Sequence, residues 1–327
     1  MPQAPDNSAA IVFLPPASGR LRDRTLVRWL ARSAIERRGG PRDVLGSILR
    51  ALGRERPRNG LGAMRMWGQT NDRPTVWIAA ADPVYLEPRL NHLCLHSLQA
   101  PAVTRSELRA LFDHLQETLA EDQNYGFARI GACGYLRAGE PIPTALEPPS
   151  VVDQCNPNDY LPAGEDAAGF RKLQSEIEMA LHEHPVNVER ELEGRQPVNS
   201  LWLWGGGTVP DSTVDPHPPL FADDPLLKGY WNSVAGDTES WPGTIAACLE
   251  ASAAGFVAVV PGGDDDVLQL ERYLSELREA LQSRRLSRLS LIFADGICAT
   301  VERADRYRFW RRNSALLNGE LLIGDRE

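Results

Sequence analysis

Residues 184–207 read HPVNVERELEGRQPVNSLWLWGGG and hold the densest set of side chains suited to gripping a small polar molecule. Leu201, Trp202, Leu203 and Trp204 alternate as in a strand, the leucines on one face and the tryptophans on the other. Gly205, Gly206 and Gly207 follow, where α/β folds bind ligands beyond a strand's carboxyl end. Glycines let the backbone turn sharply and approach a ligand closely. Their amides are expected to face a cleft that Asn187 and Arg190 approach from the preceding helix. An anion held there would gain charge-assisted hydrogen bonds from the Arg190 guanidinium. The same residues also fit an architectural reading, in which Asn187 caps the helix, Arg190 makes an internal salt bridge and the glycines form a packed turn. The run is neither GxGxxG nor a phosphate loop, because no GK[ST] follows.

Other chemistry-bearing residues are sparser. Asp264, Asp265 and Asp266 could bind a metal or cap the helix that begins at Val267, and such runs are more often caps. Asp295 stands at a strand end, as a functional carboxylate or as a turn residue. His182 and His184 are two apart, which is not the i, i+4 spacing of a helical metal pair. His92 and His96 read as a solvated strand face. No GxSxG nucleophile motif occurs. The five cysteines are scattered and never form CxxC, so reduced thiols, a cytoplasmic chain and no zinc site are expected.

The elements that must position these residues alternate along the chain. AIVFL (10–14), TVWIAAAD (75–82), HLCLHSL (92–98), SLWLW (200–204), GFVAVV (255–260) and SRLSLIFADG (287–296) read as strands. Helical spacing marks 25–38, 41–52, 104–120, 166–182, 243–254 and 267–283, with Gly39-Gly40 as a stop and Thr104-x-x-Glu107 as a capping box. Pro83 suggests a turn, a strand or hairpin lies near 126–137, a Pro-rich loop covers 209–225, and 303–312 alternates like an edge strand. The fold class that follows is α/β: a mostly parallel central sheet covered by helices on both faces. A single large domain over 1–327 is expected, with a basic helical segment at 20–58 and a Pro-rich crossover at 140–162.

Charge narrows the partners. The net charge is −9, yet residues 1–60 carry 12 arginines against five acids, so the remainder is strongly acidic. A basic end can meet nucleic acid or an acidic partner, but an Arg-rich helix pair docked on an acidic body is the favoured reading. Nucleic acid is therefore not the expected partner. The 43% apolar content and the lack of an 18-residue apolar run fit a chain without a transmembrane helix, and the N-terminus lacks the basic region of a secretory signal.

HPVN-x-x-R, then a glycine, P-x-N and a strand ending G-x-G resemble the archaeal-type cofactor-independent phosphoglycerate mutases of the alkaline phosphatase superfamily. In more detail, ADPVYLEPRLNHLCLHSL (81–98), the 184–207 stretch and FADG…RADRYRFWRR (293–312) resemble a distantly related bacterial group, the RpfE-type regulatory or phosphoglycerate mutase-like proteins. The resemblance implies an alkaline phosphatase-like sheet flanked by helices. It adds Asn199 to Asn187, Arg190, Gly205, Gly206 and Gly207 as the ligand-binding set for an anion or sugar-like group.

Phosphotransfer in that superfamily uses two divalent metals held by Asp and His, with a Ser or Thr nucleophile. Here Pro15-Pro16 follow the first strand where the first metal Asp is expected. Gly296 follows Asp295 where His should stand, and no histidine lies beyond His217. Trp204 replaces the family's arginine before G-x-G, and a tryptophan cannot grip a phosphate with two parallel hydrogen bonds. The expectation is a non-catalytic regulatory or ligand-binding protein without cofactor, taking a small anion or a protein partner. The alternative is a metal-dependent phosphatase or mutase with rearranged acidic ligands at Asp82, Asp237, Asp264 and Asp295.

Overall fold

The computed structural model describes residues 8–38, 43–98, 101–120, 125–164, 167–211, 216–262, 267–308, 310 and 315–317. In chain order the elements are β1 Ala9–Leu14, α1 Arg24–Ala31, β2 Ala34–Arg37, α2 Val44–Ala51, α3 Leu61–Thr70, β3 Ile78–Pro88, β4 Leu93–Ser97 and α4 Arg105–Leu119. There follow β5 Tyr125–Ile130, β6 Cys133–Ala138, α5 Pro149–Val152, α6 Ala168–Leu181, α7 Pro185–Leu192, β7 Ser200–Gly207, β8 Leu220–Phe221 and α8 Pro225–Ser233. The last are β9 Thr238–Glu239, α9 Ile245–Ala251, β10 Gly255–Val259, α10 Val267–Gln282, β11 Arg288–Phe293 and β12 Ile297–Glu302. Short 3-10 helices cover Pro157–Asp159 and Arg303–Tyr307. Two compact units result: Met1–Arg56 with Val214–Asp224 and Val234–Glu327, and Pro57–Thr213 with Pro225–Ser233.

The first unit holds a seven-stranded mixed sheet in the order β2-β12-β11-β1-β10-β8-β9. β1 pairs in parallel with both β10 and β11, Phe13 lying opposite Val259 and Ile292. These strands read as near-continuous apolar runs, broken in β11 by Arg288 and Ser290, because both faces are covered. Helix α10 turns Leu270, Tyr273, Leu274, Leu277 and Leu281 into this core, each buried residue contributing roughly 1.5–3 kcal/mol. Sequence periodicity overextended the first helix: α1 stops at Ala31, and Ala34–Arg37 pairs antiparallel with β12 instead. Ladder bonds to a neighbouring strand overrode local helical spacing. Residues 303–307 likewise form a 3-10 helix rather than an edge strand, with Glu302 and Asp305 in a reciprocal capping box.

The second unit carries a five-stranded antiparallel sheet, β4-β3-β6-β5 with β7 against the other side of β3. The expected single, mostly parallel sheet is thus corrected: TVWIAA and SLWLW belong to this antiparallel sheet, apart from AIVFL, FVAVV and SLIFA. Single-strand patterns report burial and not the partner strand. β3 also runs through Pro83, which was expected to turn the chain. Pro83 falls between its β6 partners, which end opposite Ala80, and its β4 partners, which begin opposite Val84. A strand tolerates the missing N–H at such a gap. Helix α4 has the expected cap, Thr104 accepting from the Glu107 amide while the Glu107 carboxylate accepts from Thr104.

Two helices that periodicity missed, α3 and α8, pack closely through glycines. A Cβ at Gly229 would sit 1.7 Å from the Met64 carbonyl oxygen, and one at Gly68 would sit 1.9 Å from that of Pro225. Their apolar residues are too interrupted by glycine to give a helical signal.

Candidate functional site

In the first unit, β1, β10 and β11 end together, and the chain beyond them is where ligands of α/β sheets gather. Asp295 stands two residues past β11. Its Oδ2 accepts hydrogen bonds from the backbone amides of Ala17 at 2.9 Å and Ser18 at 2.6 Å. The carboxylate therefore fastens the turn after β1, and Ser18 in turn donates to the Leu316 carbonyl. Pro15 and Pro16 lie between, with no side chain that could hold a metal. Asp237 precedes the short edge strand β9, its carbonyl accepting from the Leu220 amide. His217 precedes β8, at the other edge of the parallel strands from Asp295. Asp264, Asp265 and Asp266 lie outside the described residues. Among the described residues of this edge, the donor set does not fit the two-metal centre that the superfamily resemblance implies.

In the second unit the fold gives the residues expected to bind a ligand partners within the protein. His184, not Asn187, caps α7, its Nδ1 accepting from the Val186 amide at 3.2 Å. Asn187 is buried: its Nδ2 donates to the Leu181 and Val198 carbonyls, and its Oδ1 accepts from the Val198 amide at 2.8 Å. Asn199 bonds both backbone groups of Leu86, at 2.7 and 3.0 Å. Arg190 is buried, with Nε donating to the Gln196 carbonyl at 2.7 Å and Nη1 to the Ala102 carbonyl and the Glu107 carboxylate. Arg195 reaches the same Glu107 oxygen at 2.8 Å. Burial opposes ionisation of Glu107, but the Thr104 bonds and these two arginines outweigh it and hold the carboxyl down at about 2. The motif thus ties α7 to the start of α4 and β7 to β3.

The glycines were expected beyond the strand but lie inside β7. Gly205 donates to the Ala145 carbonyl and Gly206 to Thr144 Oγ1, while Gly207 is paired with Ile78. Gly205 has φ +61°, and a Cβ there would come within 2.7 Å of Leu61 Cβ; one at Gly206 would meet the Trp77 ring at 2.4 Å. Close packing therefore explains the three glycines directly.

Trp202 and Trp204 are buried and each indole finds an acceptor. Trp202 donates to the Glu147 carbonyl, and Trp204 Nε1 donates to Asp82 Oδ2 at 2.8 Å. Asp82 is the centre of a buried network that the sequence did not reveal. Arg65 on α3 donates to both Asp82 oxygens at 2.8 Å and to the Gly134 carbonyl at 2.7 Å. The guanidinium lies over the Tyr135 and Trp204 rings, 4.8 and 5.4 Å from their centroids. Burial opposes the charge on Arg65, yet Asp82 more than compensates and its pKa rises. Burial also pushes the Tyr135 phenol up, and its hydroxyl bonds Gln69.

Another cluster emerges from hairpin register. Tyr85 faces His96 and Glu87 faces Cys94 across β3 and β4, so these side chains share one face. Donor atoms of Glu87, Cys94 and His96 lie within 4.8 Å of one another. His96 Nε2 contacts Glu87 Oε2 at 2.9 Å, and this bond, with Arg89 on the same carboxylate, holds Glu87 below the usual carboxylate range. Glu87 was missed because only the register brings it opposite Cys94.

The two sheets and the strand-end geometry define a mixed α/β chain with one mixed and one antiparallel sheet. No family model matches the sequence. The relatives it does match are cofactor-independent phosphoglycerate mutases. Over 140 residues the chain is 30% identical to the 2,3-bisphosphoglycerate-independent phosphoglycerate mutase of Methanosarcina mazei, covering 41% of this chain and 35% of that protein. The corresponding protein of Methanosarcina acetivorans is 32% identical over 110 residues, 33% of this chain and 28% of that one. The probable 2,3-bisphosphoglycerate-independent phosphoglycerate mutase of Geobacter sulfurreducens is 29% identical over 129 residues, 39% and 32% of the two chains. The matches thus span about a third of the length of these curated relatives.

Among solved structures, the PH0037 protein from Pyrococcus horikoshii aligns with a TM-score of 0.50 at 12% identity, covering 90% of this chain and 87% of that one. This likeness establishes a shared fold. The cofactor-independent phosphoglycerate mutase from Thermoplasma acidophilum aligns over 97% and 95% of the two chains at 15% identity with a TM-score of 0.45.

Proposed function

We propose that the chain is a non-catalytic regulatory or ligand-binding protein of the RpfE type, built on a phosphoglycerate mutase-like, alkaline phosphatase-like scaffold and working in the cytoplasm. The observation that carries this reading is the bonding of Asp295. A carboxylate at the end of β11 that accepts the Ala17 and Ser18 amides is committed to closing a turn. Gly296 and Pro15-Pro16 occupy the flanking places where metal-binding side chains would be needed. The internal bonding of Asn187, Arg190 and Asn199 supports a positioning role for these residues, which leaves the Gly205–Gly207 segment as packed strand. The partner on this reading is a small anionic ligand.

A second reading, consistent with the names of the matched relatives, is an active phosphotransfer enzyme. Assays of 2- and 3-phosphoglycerate interconversion and of p-nitrophenyl phosphate hydrolysis, with Mn, Mg, Co or Zn added, separate the two. The expected result is no turnover above a protein-free control. Metal-dependent turnover abolished by Asp295→Asn would overturn the non-catalytic reading.

A further inference from the structure

The basic N-terminal segment has a counterpart in the fold that the reading above does not use. Between α1, α10 and the 3-10 helix after β12 lies a cleft of about 520 Å³, within the size range of small-molecule sites. Arg28 and Arg32 line it from α1, Arg278 from α10, Arg284 from the turn after α10, and Arg303 and Arg306 from the 3-10 helix. Trp29 and Leu281 supply an apolar wall. In a chain of net charge −9, six arginines around one concavity are a local reversal of sign.

Few of these charges are satisfied by the protein. The acids of the cleft have other partners: Asp305 accepts from the Glu302 amide and pairs with Arg308 at 2.9 Å, and Glu302 takes part in the capping box. Helix C-terminal carbonyls attract arginines, but Arg303 already donates to that of Leu281 in the last turn of α10, and to the Leu286 carbonyl beyond it. Among the described residues, the guanidinium groups of Arg28, Arg32 and Arg284 have no hydrogen-bonded or ion-paired partner. The Nε atoms of Arg32 and Arg278 are buried and unbonded. Stranding such donors is costly unless something accepts from them.

Arg284 has φ +64°, in the left-handed region that glycine or asparagine ordinarily fills just past a helix. An arginine is strained there, as the non-glycine residues Gln154, Glu183 and Ala235 are at their own positive φ. The cleft lies at the helix C-termini, the opposite edge of the sheet from Asp295, because α1 and α10 each run back from the strand ends.

We infer that this cleft binds a soluble small metabolite bearing two or more phosphate groups. Guanidinium groups match phosphate oxygens with paired, charge-assisted bonds, and several converging ones select multiple phosphates over one. A concave site of this size fits a small molecule and excludes a nucleic acid duplex. The inference names the ligand class of the proposed ligand-binding function, but it rests on different residues. Turnover in the mutase assay would sink the non-catalytic reading alone, whereas the binding results below bear only on the cleft.

The test is isothermal titration calorimetry of the full chain with inorganic tripolyphosphate and with inorganic phosphate at one ionic strength. One tripolyphosphate per chain, bound at least tenfold more tightly than phosphate, is expected. Arg28→Glu with Arg284→Glu, both at exposed positions, should weaken it at least tenfold, while the surface variant Arg109→Ala should not. Arg284→Gly is the sharpest variant, since it relieves the backbone strain. It should raise the unfolding midpoint and still weaken tripolyphosphate. An affinity unchanged in these variants, or no saturable binding, would overturn the inference. So would capture of the chain by phosphatidylserine vesicles that tripolyphosphate fails to release, because the surface would then serve a membrane.

Discussion

Replacing Arg190 by alanine tests whether this residue builds the fold or grips a ligand. Its side chain is 2% exposed and satisfies two carbonyls and the Glu107 carboxylate. Removing one partner of a buried ion pair costs about 3–5 kcal/mol, because the other charge is left uncompensated. Glu107 keeps Arg195 and its Thr104 bonds, which moves the expectation to the lower end. The carbonyls of Gln196 and Ala102 lose a donor, at roughly 1–3 kcal/mol each where water cannot replace it. A net loss of about 3 kcal/mol is expected, which at an m value of about 2 kcal/mol/M lowers the urea midpoint by about 1.5 M. Tryptophan fluorescence reads the transition, since Trp202 and Trp204 are buried in the same unit. Arg195→Ala is the control: its side chain is 38% exposed, so about 1 kcal/mol or less is expected. An Arg190→Ala midpoint no lower than that of Arg195→Ala would refute the reasoning. If stability held while phosphate affinity fell, Arg190 would be a ligand-binding residue after all.

Further outcomes follow from the same physics. Asp82→Asn and Arg65→Met should each cost about 3–5 kcal/mol, yet the double variant should cost less than their sum, because no charge is then stranded; additive denaturation midpoints would contradict a coupled pair. Gly229→Ala places a Cβ 1.7 Å from the Met64 carbonyl and should destabilise by about 1–3 kcal/mol or more in thermal melts; a neutral result would mean that α3 and α8 pack less tightly. Glu107 is held down at about 2, so its contribution is complete above its ordinary value of 4.5 and is lost as pH falls towards 2. Glu107→Gln should therefore flatten the acid limb of stability against pH in that window, and an unchanged limb would show that Glu107 carries no such linkage.

The sequence alone determined much of the local structure. The apolar run at 10–14, the buried strands at 255–260 and 287–296, and the helices at 104–120 and 267–283 follow from periodicity and caps, which act between residues close in the chain. The chemistry of Pro15-Pro16 and Gly296 was legible for the same reason, since a residue type present or missing at a strand end needs no partner to be read. The capping box at Thr104 was legible too, but not the two arginines that join Glu107 from residues 190 and 195. Tertiary structure decided which strands pair. It divided the expected single sheet into a mixed and an antiparallel one, and ended α1 early so that Ala34–Arg37 could join β12. It also set which polar groups meet. Asp82 and Arg65 are 17 residues apart, and Trp204 lies 122 residues beyond Asp82, yet one buried network binds all three. Hydrogen bonds and register act between groups that only folding brings within about 3 Å, so no local pattern in the sequence could carry them.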